Sequence, residues 1–497
     1  GKSRAGKLVP VSAAKDNPAM PSLLPDWLEA FRARLGAEVI ETHISWLLLT
    51  GAFAWKLKKP ITLPFLDYGT AARRRHFCHE ELRLNRRFAP DLYLGVDAVG
   101  DSGEYAVKMR RFPECQRLDH VCARGELSPA HLSGLARVVV DFHAVAAVAG
   151  PETPFGEPGQ VLAAALENFT ELFTLLPAAT PQLKNLERWT QDEFARIRPA
   201  LAARKAAGRV RECHGDLHLG NLVLLDGRVL PFDCIEFNDD FRWIDVASEL
   251  AFTYVDLLDH NQPRLAAWLL NAWLAEAGDF EAVPVLRFYA VYKAMVRAKV
   301  AGISGNAATA GGYLQLAESI ATPPPPQLTI TFGLSGSGKT TASADFLSAD
   351  PSATTLRLRS DVERKRLFGL APLARSQATV DGGIYTPEAT RRTYARLVEA
   401  AGLILDAGWS VILDAAFLKR SERDDFRALA TARGARFAIL ACAAPVDELQ
   451  RRLLARHGDA SEATVEVLEK QLGWMEPLGS DETEQVITPP EPNTRAP

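Results

Sequence analysis

The sequence predicts two domains in tandem, an α+β domain followed by an α/β domain with a parallel sheet. The run Pro323–Pro326 separates them, because four prolines cannot continue a helix or a central strand and favour a stiff spacer. Before this run, strand-like segments come first and helical segments follow, which is typical of an α+β unit. After it, strand-like and helical segments alternate, which is typical of a parallel sheet with crossover helices.

Composition narrows the class of protein. A chain of 497 residues is too long for one typical core and suggests two or three domains. The net charge of −4 argues against a dedicated nucleic-acid-binding protein, since no large positive field is expected. The six cysteines show neither metal-ligand spacing nor disulfide density, so we expect a reducing, cytoplasmic compartment. The most apolar runs, 44–55 and 265–275, are shorter than the roughly 20 residues that a membrane span needs, and we expect no membrane partner. Nothing in the sequence indicates the oligomeric state.

The domain boundaries follow from these composition changes. Residues 1–19 are basic and polar and are interpreted as a tail or as residues preceding a natural start at Met20. The first domain is predicted over 20–320, the proline-rich linker over 321–327 and the second domain over 328–479. Residues 480–497 are polar and proline-rich, with little to bury, and are predicted to form a disordered tail.

The elements of each domain follow from local patterns. In the first domain, residues 44–49 and 53–57 are strand-like and are joined by a Thr50-Gly51 turn. From Ser128 to about Leu316 the pattern is mostly helical, apart from an irregular stretch around 213–237. In the second domain the predicted strands are 328–332, 354–358, 411–413 and 437–441.

The irregular stretch of the first domain contains His214-Gly215-Asp216-Leu217-His218-Leu219-Gly220-Asn221, followed by a strand and Asp233. Asp216 and Asn221 have the spacing of the aspartate and asparagine in a kinase catalytic loop. Such a site needs a carboxylate to accept a hydroxyl proton and oxygen ligands for Mg²⁺. We therefore predict Asp216 as the catalytic residue and Asn221 and Asp233 as metal ligands. His218 either braces the loop or contacts phosphate, and Glu236 is either structural or a neighbour of the metal.

This loop resembles that of the aminoglycoside phosphotransferase-like kinases, a superfamily that also includes choline, fructosamine and homoserine kinases. The resemblance implies a bilobal, protein-kinase-like fold that binds nucleotide with a strand lysine paired to a helix glutamate. Lys56 and Lys58 project from the same strand face, and both remain candidates for that lysine, with Lys56 preferred. Glu81 lies on the apolar stripe of the next helix and is the predicted partner, with Glu80 as the alternative. The family's members often lack a G-x-G-x-x-G loop, as this sequence does.

The second domain contains a complete P-loop between a predicted strand and a predicted helix. Its glycines let backbone N–H groups turn toward phosphate oxygens, and the helix start adds positive potential. Lys339 is predicted to reach the β- and γ-phosphates, and Thr340 to bind Mg²⁺. The predicted nucleotide-binding residues are Gly333, Ser335, Gly336, Ser337, Gly338, Lys339, Thr340 and Thr341.

Further residues of the second domain resemble the gluconate kinase, polynucleotide kinase and zeta-toxin group. Asp414 ends a Walker-B-like strand and is a predicted metal ligand. Asp361 and Arg364 form a D-x-x-R element, which implies a general base and a substrate or phosphate clamp, although Asp361 could simply cap a helix. Arg452 and Arg456 lie one helical turn apart and resemble lid arginines that neutralise the transferring phosphate; the alternative is a solvated helix face.

Together these features predict a bifunctional kinase that uses ATP or GTP with Mg²⁺ and transfers the γ-phosphate to hydroxyl groups, most simply on small molecules. The whole chain resembles bacterial fusions of these two kinase modules. One alternative is that the second domain is a 5′-hydroxyl polynucleotide kinase with a nucleic-acid partner. This is suggested by its basic residues Arg357, Arg359, Lys365, Arg366, Arg391 and Arg392. Another is that one nucleotide site is a sensor that regulates the other domain.

Overall fold

The chain forms two compact units in the computed structural model, which describes residues 24–63, 65–374, 376, 384, 386–455 and 461–488. Unit 1 contains the chain up to Asn261 together with Val285–Ala321. Unit 2 contains Gln262–Pro284 and the chain from Thr322 onward. The predicted tail 1–19 lies outside the described residues.

The chain up to the proline run contains most of the helices and eleven strands among the described residues. In chain order these elements are α1 (Asp26–Leu35), β1 (Glu38–Glu41), β2 (Ser45–Leu49), β3 (Phe53–Lys58), β4 (Thr62–Leu63), β5 (Leu66–Asp67), α2 (Ala71–Arg86), β6 (Tyr93–Ala98), β7 (Tyr105–Arg110), α3 (Leu118–Ala123), α4 (Pro129–Val145), α5 (Pro158–Leu175), α6 (Thr180–Ala206), β8 (Val210–Glu212), β9 (Leu222–Leu225), β10 (Arg228–Pro231), α7 (Asp239–Arg242), β11 (Trp243–Asp245), α8 (Val246–Asp259), α9 (Pro263–Ala277), α10 (Val283–Ile303) and α11 (Ala307–Ala321).

The amino-terminal lobe of unit 1 is a five-stranded antiparallel sheet in the order β1-β2-β3-β7-β6. The apolar residues alternate along β2 and β3, so that Leu48 pairs with Trp55 and Trp46 with Leu57. These side chains are buried in one cluster with Leu28 of α1. Helix α2 begins after Thr70, whose side chain accepts a hydrogen bond from the Arg73 N–H, and it lies against β6 and β7.

The remainder of unit 1 is mainly helical, with two short strand pairs that hold the loop between β8 and β9. Strand β8 pairs with β11, and β9 pairs with β10, both antiparallel. Helix α8 follows β11 directly and is buried along almost its whole length. The predicted order of strands first and helices later, in a bilobal α+β unit, is therefore confirmed.

Unit 2 is built on a five-stranded parallel sheet in the order β13-β14-β12-β15-β16. The four predicted strands are confirmed to within one or two residues at each end, and the α/β class is confirmed. The elements after the proline run are β12 (Gln327–Phe332), α12 (Lys339–Ser348), β13 (Thr355–Arg359), α13 (Ser360–Leu367), α14 (Pro387–Asp406), β14 (Ser410–Asp414), α15 (Arg420–Ala432), β15 (Arg436–Ala441), α16 (Val446–Leu454), α17 (Val465–Trp474), α18 (Ser480–Thr483) and β16 (Val486–Ile487).

Helix α9 is part of unit 2, although it precedes the proline run by about fifty residues of chain. It packs on α12 and on the edge strand β13. The side chain of Asn271 donates to the Thr355 carbonyl at 3.1 Å and accepts from the Arg357 N–H at 2.6 Å, so it hydrogen-bonds the free edge of the sheet. The linear division at the proline run places α9 in the first domain. An apolar helix pattern does not specify which core will bury it, and here the core is that of unit 2.

The predicted disordered tail over 480–497 is wrong for its first half. Helix α18 and strand β16 are ordered, and Val486 pairs with Ile439 at the sheet edge. The buried carboxylate of Glu482 lies 2.6 Å from Arg423 Nε and 3.0 Å from its Nη2. Polar composition predicts disorder, but a paired charge and a short edge strand stabilise this segment. Residues 489–497 lie outside the described residues.

Replacement of Arg423 by Met is expected to destabilise unit 2 by about 3 kcal/mol, because it leaves the Glu482 carboxylate buried without its partner. The measurement is urea unfolding followed by circular dichroism. The matched control is Arg433→Met, which removes an exposed pair with Asp406 away from Glu482 and is expected to change stability far less. Equal effects of the two changes would contradict a structural role for the buried pair.

Within the described part of the chain, no single helix is long and apolar enough to cross a membrane. One pair, Pro158–Leu175 with Pro177–Ala206, meets the length and composition criteria together, with a bend of 118° between its members.

Candidate active sites

The first site lies in unit 1 and begins with two lysines on β3. Both side chains are buried and point to the same side of the strand. Lys56 Nζ lies 2.9 Å from Glu81 Oε1 and 2.5 Å from Asp233 Oδ1. Lys58 Nζ lies 2.7 Å from Glu81 Oε2 and also contacts Glu236. Glu81 therefore bridges both lysines, but Lys56 is the one that contacts the predicted metal ligand Asp233.

In this cluster the opposite charges offset the cost of burial. Burial disfavours the ionised Glu81 carboxylate, but Lys56 and Lys58 outweigh it and lower the pKa of Glu81. Burial likewise opposes the charge on Lys56, while Asp233 and Glu81 raise its pKa well above the ordinary value. Glu236 accepts from the Tyr68 hydroxyl at 2.5 Å as well as from Lys58, which makes it part of the support of the lysines.

Asp233 is held in a left-handed conformation, with φ of 63°. Such a backbone costs on the order of 1–3 kcal/mol and persists only where neighbours stabilise it. Here the Asp233 N–H donates to the Tyr93 hydroxyl at 3.0 Å, and the next N–H, that of Cys234, donates to Asn85 Oδ1 at 3.0 Å. Tyr93 and Asn85 lie far away in the sequence, and no local motif identifies them.

The predicted catalytic loop brings its two main residues together. Asn221 Nδ2 donates to the Asp216 carbonyl and to Asp216 Oδ2, both at 3.0 Å. Its amide oxygen is then the atom that can serve as a metal ligand. His214 braces the loop, with its Nε2 at 2.8 Å from the carbonyl of Phe232, the residue before Asp233. Gly215 has φ of 91°, and a Cβ there would lie 2.8 Å from the Phe241 carbonyl oxygen, so only glycine fits.

Glu249 of α8 stabilises the same loop and is a residue that the sequence pattern does not reveal. Its Oε1 accepts the N–H of His214 at 2.6 Å and that of Gly215 at 2.9 Å. Its Oε2 lies 2.6 Å from His143 Nε2. Burial opposes ionisation, but the hydrogen bond and charge of His143 lower the pKa of Glu249 to about 2. A buried acid in an apolar helix is the one signal that could have identified it.

His218 keeps the pKa of the buried Asp216 low. The Gly220 N–H donates to His218 Nδ1 at 3.1 Å, so the ring proton resides on Nε2, which lies 3.4 Å from Asp216 Oδ2. Burial alone would raise the pKa of Asp216, yet His218 lowers it to about 2. His218 therefore braces the catalytic aspartate.

The second site lies in unit 2, where β12 leads into the P-loop and α12 begins at Lys339. Gly333 has φ of 154°, and a Cβ at this position would lie 2.2 Å from the Cys442 carbonyl oxygen. Lys339 Nζ donates to the carbonyls of Gly333 at 3.0 Å and Leu334 at 2.8 Å. The Ser335 N–H donates to Gln471 Oε1 at 2.8 Å, so a side-chain oxygen binds one amide of the phosphate cradle.

The rest of the predicted P-loop set is in place around this cradle. Gly336 and Gly338 have φ of 85° and 89°, left-handed values that favour glycine. Ser337 is buried beside them, and Thr340 and Thr341 form the first turn of α12. The loop geometry expected of a phosphate-binding turn is thus present.

The adjacent strands β13 and β14 bring the predicted acids of unit 2 to one edge of the sheet. Arg359 and Asp414 are register partners at the ends of these strands, and Arg359 Nε lies 3.3 Å from Asp414 Oδ2. Asp361 follows in the first turn of α13. Burial raises the pKa of Asp361 despite the nearby Arg364, as suits a proton acceptor.

The predicted arginines differ in what they contact. Arg364 is buried and donates to the Ile384 carbonyl at 3.1 Å and to Thr390 Oγ1 at 3.0 Å, so its observed contacts are structural. Arg452 approaches the P-loop, with Nη1 at 3.4 Å from the Gly336 carbonyl. Arg456 lies outside the described residues. The roles of Arg364 and Arg452 toward substrate stay predictions.

Comparison with known families divides the chain between residues 289 and 328, so that α9 falls in the first match although it packs in unit 2. Residues 64–289 match the phosphotransferase enzyme family, and residues 328–478 match a family described as an AAA domain. "Uncharacterized protein Rv2004c" of Mycobacterium tuberculosis H37Rv is 31% identical over 446 residues, covering 86% of this chain and 88% of that protein. The chain belongs to the same family as this mycobacterial protein. Both domains fall in phosphotransferase or kinase families, and the protein is a nucleotide-binding kinase.

Solved structures show similarity to each part of the kinase. A thermostable mutant of the aminoglycoside phosphotransferase APH(4)-Ia is 14% identical, covers 59% of this chain and 98% of its own, and has a TM-score of 0.39. A gluconokinase from Sinorhizobium meliloti 1021 is 20% identical, covers 33% of this chain and 83% of its own, and has a TM-score of 0.24. These overlaps are too loose to inform substrate choice.

The donor atoms of both sites suit Mg²⁺, which prefers oxygen ligands. In unit 1 these are the Asp233 carboxylate and the Asn221 amide oxygen, whose nitrogen is already used by Asp216. In unit 2 they are the Thr340 hydroxyl, in the first turn after the P-loop, and the Asp414 carboxylate.

The basic residues that suggest a nucleic-acid partner are largely occupied in unit 2 of the kinase. Arg357 donates to the Thr340 carbonyl and to Ser343, and Arg359 pairs with Asp414. The remaining four also have partners: Lys365 with Glu462, Arg366 with Glu363, Arg391 with Glu388, and Arg392 over the Phe368 ring. Arg391 and its partner Glu388 are nevertheless mostly exposed, and a nucleic-acid partner for unit 2 stays a prediction.

Proposed function

We propose that the kinase is bifunctional, with one active site in each unit, and that each site transfers the γ-phosphate of ATP to a hydroxyl group of a small molecule with the help of Mg²⁺. The observation that carries this proposal is that each unit holds its own lysine and its own acids. In unit 1 Lys56 contacts both Glu81 and Asp233, and in unit 2 Lys339 lies in a complete P-loop.

In unit 1 the reaction needs an aligned hydroxyl more than a strong base, because phosphoryl transfer passes through a loose transition state. The ionised Asp216 carboxylate orients the acceptor hydroxyl and takes its proton. The hydroxyl oxygen forms a bond to the γ-phosphorus, the bond from that phosphorus to the bridging oxygen breaks, and ADP leaves. Lys56 holds the phosphates of ATP, and bound Mg²⁺ would neutralise the charge that develops on them.

In unit 2 the backbone amides of the P-loop and Lys339 hold the phosphates, and Asp361 accepts the acceptor's proton. The same bonds form and break as in unit 1. Because Arg452 lies beside the P-loop carbonyl of Gly336, it is placed to stabilise the charge of the transferring group.

The test is incubation of the full chain with ATP and a cell metabolite extract, followed by mass spectrometry for every compound that gains one phosphate. Lys339→Ala is expected to abolish one set of products, since the P-loop loses its only lysine, and to spare the other set. The matched control is Arg433→Ala, an exposed cation of unit 2 that pairs with Asp406.

Two outcomes would count against this proposal. Loss of all products in Lys339→Ala would show that the sites are not independent. If unit 2 binds ATP but no product depends on Lys339, unit 2 is a sensor. Transfer of label to hydroxyl-ended oligonucleotides would instead identify unit 2 as a polynucleotide kinase.

A further inference from the structure

A buried lysine lies beside the catalytic loop of unit 1, apart from the cluster of Lys56, Glu81 and Asp233. Lys293 projects from α10 with 6% of its surface exposed. Its Nζ lies 4.9 Å from the centroid of the Phe252 ring. The same ring packs against His218 at 5.6 Å between centroids, and His218 contacts Asp216. The ammonium group is thus separated from the catalytic aspartate by one layer of side chains.

Lys293 is unusual because it lacks an ionic partner. Across the described residues of unit 1, no carboxylate lies at ion-pair distance from its Nζ, which instead contacts the rings of Phe252 and Tyr292. Burial lowers the pKa of Lys293 to about 8, although Asp216 and Glu249 raise it. Buried charges in proteins are normally paired. A buried ammonium without a partner beside a catalytic group therefore indicates a ligand that supplies the negative charge.

The neighbouring cation on α10 is already engaged. Arg297, one turn further along the helix, donates from Nε to the Tyr313 hydroxyl at 3.2 Å, and Tyr313 donates to Asp259 at 2.7 Å. Asp256 accepts the Leu219 N–H at 2.8 Å and also acts on Arg297 electrostatically. Asp256 and Asp259 therefore interact with groups of the protein itself. Of the two cations of α10 described here, Lys293 is the one that can pair with an anionic ligand.

We propose that the acceptor of unit 1 is a hydroxyl compound that carries an anionic group, a carboxylate or a phosphate, and that Lys293 binds this group while Asp216 receives the hydroxyl proton. This inference rests on the proposed function of unit 1 and specifies its substrate class. A polycationic acceptor is disfavoured, because the unpaired ammonium of Lys293 would repel it at close range.

The binding test uses the full chain with Lys339→Ala, so that the P-loop does not bind the probes, in saturating ADP and Mg²⁺. Inorganic phosphate and gluconate are titrated separately by calorimetry, and their relative affinities distinguish a phosphate from a carboxylate ligand. Lys293→Met is expected to weaken binding of the preferred probe by about 10-fold to 100-fold, the loss typical of a charged hydrogen bond. Lys293→Arg is expected to retain part of the affinity.

The matched control is Lys299→Met. Lys299 lies on the same helix, is fully buried and has its nearest carboxylate, that of Glu171, 3.9 Å away. It is not in contact with the catalytic loop, and its replacement is expected to leave probe binding unchanged. Binding of neither probe, or equal binding in Lys293→Met, would overturn the proposal.

The turnover test separates this inference from the proposed function. With an anionic acceptor from the extract, Lys293→Met is expected to raise the acceptor KM by about 10-fold or more, with the ATP KM unchanged. Suppose that unit 1 phosphorylates a neutral or cationic acceptor in an Asp216-dependent way and that Lys293→Met leaves the KM of this acceptor unchanged. The inference of an anionic acceptor is then overturned, and the kinase activity stands. If anion binding depends on Lys293 but no product depends on Asp216, the proposed kinase activity of unit 1 is refuted and the anion site stands.

Discussion

Asp216→Asn is expected to lower phosphotransfer by unit 1 about 10²-fold to 10⁴-fold, the usual contribution of a positioned proton acceptor. The amide that replaces the carboxylate cannot take the hydroxyl proton. The fold should persist, because the Asn221 amide can still donate to the Asp216 backbone carbonyl and Glu249 still holds the loop. Products that depend on Lys339 should be formed at the normal rate.

The measurement is the rate at which each phosphorylated compound forms from the metabolite extract with saturating ATP. The control is the same measurement on Asp226→Asn. Asp226→Asn makes the same chemical change in an exposed turn of the β9–β10 hairpin. The φ of Asp226 is 49°, a value that asparagine tolerates. Unchanged rates for all products in Asp216→Asn would remove Asp216 from the catalytic role.

The pH dependence gives a second check on the same residue. The pKa of Asp216 is depressed to about 2, so the carboxylate is charged at every pH well above that value. Its favourable contribution to stability is present above the unfolded pKa of about 4 and is lost as the pH falls toward 2. Protonation of Asp216 should therefore not limit the rate between pH 5 and 8. An acid limb in that range that disappears in Asp216→Asn would contradict the assignment.

A fragment of residues 322–497 is expected to fail to fold, although it contains the whole P-loop family match. Without α9, the β13 edge and the surface of α12 lose their cover, and Asn271 no longer bonds the backbone of Thr355 and Arg357. The apolar face of α9 that is lost consists of Leu265, Leu269, Leu270, Trp273 and Leu274, all buried. At about 1.5–3 kcal/mol for each large side chain, this loss is as large as the net stability of an ordinary domain.

The check is circular dichroism and thermal unfolding of this fragment beside a second chain in which residues 262–284 are joined through a flexible linker to residue 322. The joined chain should unfold cooperatively and bind ATP, while the short fragment should show no cooperative transition. In the full chain, Asn271→Ala should destabilise unit 2 by about 1–3 kcal/mol, because two backbone groups lose a buried partner. A stable, cooperative 322–497 fragment would show that α9 is dispensable.

Both nucleotide-handling motifs could be predicted from local sequence for a physical reason. The P-loop and the catalytic loop are turns of about eight residues, and their glycines are required by backbone geometry, as at Gly333 and Gly215. Two strands of the first sheet and four of the second could also be predicted, since burial of one or both faces imposes a short-range apolar pattern. The edge strand β16 was missed, because its two residues lie in a polar, proline-rich segment. Residues such as Glu249 and Tyr93 could not be found this way, because their partners are distant in the sequence.

By itself, then, the sequence determined the two fold classes, the two loops and their chemistry, because each depends on neighbours along the chain. Only the tertiary structure decided that Lys56 rather than Lys58 contacts Asp233, 177 residues away. It also decided that α9 covers the sheet of unit 2 and that Lys293 lies beside the catalytic loop without a partner charge. These outcomes depend on which surfaces meet when the chain is compact, and alternation, helical spacing and motif length carry no information about that.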